Sequence, residues 1–259
     1  MTNTKLVFHR REILHEKTKK IQNLVSLMHM KKIASLLALC MTLACAAQPR
    51  TVEWSADFFP PIRSFFGEPQ VFWTSAGQAV HFDGRGDGVF VDSVPVAGME
   101  AFTLEVIFRQ DGDAAFEQRF LHIGTMDKRI LFETRVNPDK TWYFDAFVNL
   151  GTPEATPENP HPVRQSAVLI DEQLTHPTDR WYSLALVASP EGLVSYVDGV
   201  EQCRNPLPWV PLITEGFTSV GVRQNMVCWF KGDLLRLRVT PRVLKPEEFL
   251  QDHKRLNGE

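Results

Sequence analysis

Apolar and polar residues alternate with a period of two along many short stretches of this chain. Phe102–Arg109 shows the pattern most clearly, because Phe102, Leu104, Val106 and Phe108 are all apolar and fall on one face of an extended strand. Further strands are predicted at 80–82, 88–91, 120–124, 130–135, 141–149, 167–170, 219–222, 227–230 and 234–239. Only Pro246–Lys254 looks helical, with proline first and acidic residues in the first turn. Many short strands with almost no helix predict an all-β sandwich or barrel.

The segment Trp181–Cys203 predicts three antiparallel strands joined by two tight turns. Its apolar stretches are separated by Ser189–Gly192 and by the pair Asp198-Gly199. Asp-Gly is a strong hairpin signal, because a type I′ turn needs positive φ at both central residues.

The N-terminal region has the three-part layout of a secretory signal peptide over residues 30–47. A short basic start is followed by the apolar run Ile33–Leu43 and by the small residues Ala44–Ala47. The apolar run is shorter than the roughly 20 residues that span a membrane. Residues 1–29 are interpreted as an upstream extension outside the native protein. The alternative is a cytoplasmic tail on an uncleaved anchor.

Two kinds of processing fit this segment. Cleavage after Ala46 or Ala47 would release a chain without a membrane span, in the periplasm, at the cell surface or secreted. Lipidation at Cys45 is the alternative, because Thr42–Cys45 is an imperfect lipobox, and it would leave the protein lipid-anchored.

Removal of residues 1–47 makes the chain acidic. Those residues hold 8 of the 28 basic and 2 of the 31 acidic side chains, which leaves 20 against 29 and a net charge of −9. Such a surface argues against nucleic acid as a partner, because its phosphates would be repelled. The remaining chain is divided into a lead-in over 48–70, one domain over 71–250 and a tail over 251–259.

Two cysteines, Cys203 and Cys228, remain after cleavage at Ala47. In an oxidising compartment they can form a disulfide. The alternative is that they are two small apolar residues in neighbouring strands.

Four segments resemble, in the same order, the laminin G-like (concanavalin A-like lectin/glucanase) jelly-roll family. They are the strand pair Ala79–Gly84 with Gly88–Val91, the strand Ala101–Val106, the hairpin segment Trp181–Gly199 with its Y-V-D-G end, and the closing stretch Phe230–Phe249. The resemblance implies a two-sheet antiparallel jelly-roll β-sandwich with a short C-terminal helix. One position departs from the family pattern, since Leu235 stands where relatives carry aspartate, and that role is not transferred to Asp233.

The resemblance also implies a scaffold that mostly binds and that in some members hydrolyses polysaccharides. Those enzymes carry Glu-x-Asp-x-x-Glu, a spacing that places carboxylates on one side of a strand within reach of one glycosidic bond. This chain lacks that motif. Catalytic residues are therefore not assigned, and whether the protein is an enzyme stays open, with the balance against it.

The strand Thr141–Asn149 holds the candidate binding residues. Alternation puts Tyr143, Asp145, Phe147 and Asn149 on the face opposite the predicted core. Aromatic rings beside an acid and an amide suit sugar recognition, because the rings stack on a pyranose and the polar groups bind its hydroxyls. A mixed outer sheet face without a ligand is the alternative. The loop Gly151–Gln165 follows, and its four prolines and length are typical of loops that border functional sites.

Calcium is a candidate cofactor, because relatives often hold one at a loop rim. Asp83, Asp87 and Asp92 cluster around a glycine-rich turn, and oxygen-rich loops suit calcium. Aspartate and glycine also dominate ordinary turns, so the cluster has a purely structural alternative.

The sequence as a whole predicts an exported, non-catalytic module whose partner is a glycan or glycoprotein. The alternatives are a protein-binding adhesion or assembly module, and a polysaccharide-cleaving enzyme with a non-standard pair of carboxylates.

Overall fold

The computed structural model describes residues 50–56 and 60–259. The predicted upstream extension, the signal segment 30–47 and Cys45 all lie outside the described residues. No helix within the described part has the length and hydropathy needed to cross a membrane.

Two antiparallel sheets of eight strands each form a jelly-roll sandwich, as predicted. Sheet I has the order β14-β13-β12-β6-β16-β4-β3, with β1 also paired to β16. Its strands are β1 (Val52–Ser55), β3 (Gln70–Thr74), β4 (Gly77–Asp83), β6 (Phe102–Gln110), β12 (Trp181–Ser189), β13 (Gly192–Val197), β14 (Val200–Asn205) and β16 (Lys231–Thr240).

Sheet II has the order β10-β9-β8-β7-β15-β5-β2, with β11 also paired to β9. Its strands are β2 (Ile62–Phe66), β5 (Gly88–Val91), β7 (Glu117–Gly124), β8 (Arg129–Val136), β9 (Thr141–Gly151), β10 (Gln165–Ile170), β11 (His176–Pro177) and β15 (Phe217–Val220).

The core lies between the sheets and is built by alternation. Phe102, Leu104, Val106 and Phe108 of β6 all belong to it, as predicted, and the Phe108 ring stacks on Phe120 with centroids 5.2 Å apart. The sandwich begins earlier than the predicted domain boundary at 71. Strand β1 pairs with β16 and buries Trp54, and β2 pairs with β5, so the predicted lead-in contributes to both sheets.

The hairpin β12-β13-β14 has the predicted arrangement. Val197 pairs with Val200 across the turn, and Asp198 and Gly199 have φ of 49° and 79°. Both central residues therefore adopt the left-handed conformation that a type I′ turn requires.

The C-terminal segment covers the outer face of sheet I. The predicted short C-terminal helix is confirmed, but its bounds differ from Pro246–Lys254: a 3-10 turn at Pro246–Glu248 is separated by extended Phe249 from helix α1 (Asp252–Asn257). The chain stays extended there because the Phe249 side chain is buried in a cluster with Tyr196 on sheet I, with ring centroids 5.2 Å apart. The backbone N–H of Leu250 donates to the buried carboxylate of Glu105 at 2.7 Å. The C-terminal segment therefore packs on the outer face of sheet I.

Candidate functional site

The outer face of sheet II carries a row of charged and apolar side chains on β7–β10. Strand alternation produces it: on β9, Trp142, Phe144, Ala146 and Val148 point into the core, so the residues between them point outward. An open groove of about 400 Å³ crosses this face. It is lined by Arg119, Arg129, Leu131, Glu133, Arg135, Asp145, Phe147, Val168, Ile170 and Arg223.

One end of the groove is an ion-pair network spread over three strands. Arg135 contacts Asp145 at 2.7 Å (Nη2–Oδ2) and Glu133 at 3.1 Å (Nη1–Oε2). Arg119 contacts Glu133 at 3.0 Å and Glu117 at 2.6 Å. Strand register creates these contacts, because Arg119 lies opposite Glu133 and Glu133 lies opposite Asp145. Two guanidinium groups therefore serve three carboxylates.

Asp145 belongs to this network, and the pKa of its carboxyl group is strongly shifted. Burial raises the pKa of Asp145 to about 6, although the nearby Arg135 acts in the opposite direction. Its carboxyl group therefore changes charge in mildly acidic solution.

Cys228 lies beside the network, and its thiol donates to Glu117 Oε2 at 3.1 Å. Burial, followed by this hydrogen bond, raises the pKa of Cys228 above its ordinary value. Cys203 lies on β14 of sheet I, and both residues are free thiols. Of the two alternatives for these cysteines, the structure shows free thiols, with Cys203 on β14 and Cys228 in the loop between β15 and β16.

The other end of the groove is apolar with cations above it. Phe147, Leu131 and Val168 supply the apolar surface, and the guanidinium carbon of Arg129 lies 5.0 Å from the Phe147 ring centroid. Arg223, from the loop after β15, also lines this part of the face.

The four predicted ligand-binding residues separate into two pairs. Asp145 and Phe147 line the groove. Tyr143 is buried opposite Arg135, outside the lining. Asn149 is fully buried and serves the fold, because its amide donates to the Asp127 carbonyl and its Oδ1 accepts from the Gly151 N–H.

The arginines of the groove are the residues that sequence reasoning missed. Arg129, Glu133 and Arg135 occupy alternate positions of β8, so their outward orientation was readable from the pattern. Their partners were not, because the partners depend on strand register.

The three aspartates predicted for calcium serve as turn and ion-pair acceptors. Asp83 Oδ1 accepts from the N–H groups of Arg85 and Gly86 at 2.8 and 3.0 Å, and Asp87 Oδ1 accepts from the Glu68 N–H at 2.8 Å. Asp92 lies 3.3 Å from Arg63. Within the described residues they do not converge into a group of three ligand atoms.

A separate cluster on sheet I brings together His81, Asp111 and Asp233, with one ligand atom of each within 4.8 Å of the others. Asp233 already has two partners, His81 Nδ1 at 2.8 Å and Arg109 Nε at 2.6 Å. Because Arg109 already supplies positive charge to the buried Asp233 carboxylate, the cluster is explained as a partly buried ion-pair network.

Comparison with solved structures gives similarities of fold. Domain 4 of an extracellular arabinanase from Geobacillus stearothermophilus, in complex with arabinotriose, is 15% identical, with 76% of this chain and 85% of that chain covered and a TM-score of 0.48. A SAP-like pentraxin from Limulus polyphemus is 14% identical, with 66% and 78% covered and a TM-score of 0.47. The binding domain of botulinum neurotoxin serotype G is 7% identical, with 78% and 46% covered and a TM-score of 0.50.

A search of curated protein sequences gives no significant match. A family model described as the concanavalin A-like lectin/glucanases superfamily matches residues 83–249, well over half of the 259 residues. Together with the two-sheet jelly roll, this match shows that the chain belongs to the concanavalin A-like lectin/glucanase superfamily.

Proposed function

We propose that this protein is an exported, non-catalytic module that binds carbohydrate or glycoconjugate through the groove on sheet II. The observation that carries the proposal is the groove itself, where apolar surface and hydrogen-bonding side chains share one open face of about 400 Å³. Lectins are among the proteins for which the superfamily is named, which agrees with a binding role.

The composition of the groove suits a saccharide. A pyranose has an apolar face and a rim of hydroxyls, so its receptor needs apolar contact beside donors and acceptors. Phe147 and Val168 offer the apolar contact, and Arg135 and Asp145 offer donors and an acceptor. Burial and mutual ion pairing hold these polar groups in place, which limits the entropy lost when a ligand binds.

The proposal that the protein is non-catalytic rests on the ion pairs formed by the two carboxylates that line the groove. Glu133 and Asp145 are both paired with arginine, at 3.1 and 2.7 Å from Arg135. A glycosidase needs one carboxyl group to donate a proton and another to act as base or nucleophile at the opposite side of the bond.

One observation favours a hydrolase as the second candidate, namely the pKa of Asp145 near 6, which suits a general acid.

Export is part of the proposal because of residues 30–47, which have the layout of a signal peptide. The periplasm, the cell surface or the medium is the proposed location, and lipidation at Cys45 would anchor the protein at a membrane.

A glycan array probed with the full chain tests the function, once with calcium and once with EDTA. We expect saturable binding to one class of sugar in both arms, because the groove binds through side chains that need no metal. Loss of binding in EDTA would instead assign calcium a role. An empty array in both arms would contradict the proposal and favour a protein-binding module. Release of reducing ends from a bound polysaccharide would contradict its non-catalytic part.

A further inference from the structure

Two arginines in the groove have no anionic partner. Among residues 50–56 and 60–259, the Nε atoms of Arg129 and Arg223 are buried without a hydrogen-bond acceptor. In the part of the chain that the structure describes, the Met126 carbonyl is the only acceptor of a hydrogen bond from the Arg129 side chain. Arg119 and Arg135, by contrast, are each paired with two or more carboxylates. Within the described residues, the two guanidinium groups at the Phe147 end of the groove therefore form no ion pair, although Glu133 and Asp127 lie near Arg129.

The balance of charge along the groove points the same way. Four guanidinium groups line it against the carboxylates of Glu133 and Asp145, and Glu117, which contacts Arg119 and Arg135, adds a third carboxylate beside it. The chain from residue 48 onward carries a net charge of −9, so this groove is a cationic area on an acidic protein. Cationic clefts concentrate anions and raise the rate at which they associate.

The cations also crowd one another. Burial, and then the neighbouring cations Arg223 and Arg164, hold the pKa of Arg129 below its ordinary value. Arg164 lies at the end of the proline-containing loop, next to β10. An anion placed between Arg129 and Arg223 would remove this repulsion and accept hydrogen bonds from the N–H groups left without acceptors.

We propose that the natural ligand of the groove is an acidic glycan, whose carboxylate or sulfate groups bind between Arg129 and Arg223. The proposal rests on the glycan-binding function proposed above and names its ligand class. Arginine suits this task because its planar guanidinium matches carboxylate and sulfate oxygens with paired N–H donors. The Phe147 ring, 5.0 Å from the Arg129 guanidinium, limits the orientations of that side chain before ligand binds.

Calorimetry on the full chain with matched oligosaccharides tests this assignment. The probes are an oligogalacturonate with its carboxyl-reduced counterpart, and a chondroitin sulfate oligosaccharide with its desulfated counterpart. We expect at least one acidic probe to bind about tenfold or more tightly than its neutral counterpart, because a charged hydrogen-bonding group adds 1.5–3 kcal/mol, and each 1.4 kcal/mol is tenfold. The preferred pair distinguishes carboxylate from sulfate.

Variants assign the effect to the two arginines. Arg129→Gln and Arg223→Gln should each weaken binding of the acidic probe by about tenfold to a hundredfold, and weaken binding of the neutral counterpart by a clearly smaller factor. Arg129→Lys, which keeps the charge, should retain part of the binding, and it serves as the folded comparison if a glutamine variant is unstable. Arg255→Gln is the control, because Arg255 is exposed on helix α1 at the other sheet.

The outcomes separate this inference from the function on which it rests. Equal binding of acidic and neutral probes, or wild-type affinity of both glutamine variants for the acidic probe, would overturn the acidic-glycan assignment while the glycan-binding function stands. A protein that binds neither these probes nor any glycan on the array would overturn both.

Discussion

Two buried side chains on sheet II have shifted pKa values. The two shifts make the stability of the fold change with pH in opposite directions. Burial lowers the pKa of His122 to about 4, and burial raises the pKa of Asp145 to about 6. A folded-state pKa below the ordinary 6.5 of histidine means that stability from His122 is lost as the pH falls from 6.5 toward 4. A folded-state pKa above the ordinary 3.8 of aspartate means that stability from Asp145 is lost as the pH rises from 3.8 through 6. The two contributions oppose each other between about pH 4 and 6.

Single substitutions should separate these contributions. Asp145→Asn leaves the His122 contribution unopposed, so the free energy of unfolding should fall more steeply than in the wild type as the pH drops below 6. His122→Gln leaves the Asp145 contribution, so stability should rise relative to the wild type as the pH falls from 6 toward 4. Urea unfolding at several pH values measures both slopes, with Asp92→Asn at the exposed Arg63 pair as control. Slopes parallel to the wild type in both variants would contradict the assigned displacements.

At the level of single residues, the sequence predicted orientation well and partners poorly. Alternation correctly placed Asp145 and Phe147 on the outer face of β9. It also put Asn149 there, but that side chain is fully buried and bonds to the Asp127 carbonyl and to the Gly151 N–H at the end of β9. The arginines were not assigned because their carboxylate partners lie on neighbouring strands, in a register that periodicity does not determine.

The C-terminal segment packs on the outer face of sheet I. Phe249 is 3% exposed and lies with Leu244 against Ala185, Val187 and Tyr196 on the outside of sheet I. Its contribution is therefore to the stability of the domain, at a distance from the groove on the opposite sheet.

Phe249→Ala should lower the free energy of unfolding by about 3–5 kcal/mol, the range for truncating a buried phenylalanine. Glycan affinity of the folded variant should not change. Denaturant unfolding monitored by circular dichroism measures the loss. Val243→Ala is the control, because Val243 is 49% exposed and its truncation should cost less than about 0.5 kcal/mol. Equal losses in both variants would contradict the covering role of Phe249.

Elements defined by local chemistry were predictable, whereas those defined by tertiary contact were not. The Asp198-Gly199 turn follows from the conformational freedom of two adjacent residues. The interruption of the C-terminal helix at Phe249 follows from an aromatic cluster with Tyr196, which is 53 positions away in sequence. Likewise, β1 was assigned to a lead-in because its place in the sheet depends on pairing with β16, where Val52 lies opposite Val239, 187 positions later in sequence.

At the scale of the whole molecule, the two outer faces of the sandwich differ in what covers them. The C-terminal segment packs on sheet I, while β7–β10 of sheet II present an open groove that combines apolar surface with arginines. The resemblance of ordered segments was sufficient to predict the jelly roll, because it spans most of the domain. It did not indicate which outer face the chain end covers, because the contacts of Phe249 with sheet I join residues that are distant in sequence.

Titration of the best array ligand into wild type and into Phe147→Ala determines whether glycan binds in the groove of sheet II. Loss of the ring removes apolar contact and the support of Arg129, so we expect affinity to fall by about tenfold or more. Trp73→Ala is the matched control, because Trp73 is 74% exposed on the edge strand β3 of the other sheet. Weaker binding by Phe147→Ala alone would support the groove. Unchanged affinity in Phe147→Ala, or a loss of affinity confined to Trp73→Ala, would contradict the proposal that glycan binds in the groove of sheet II.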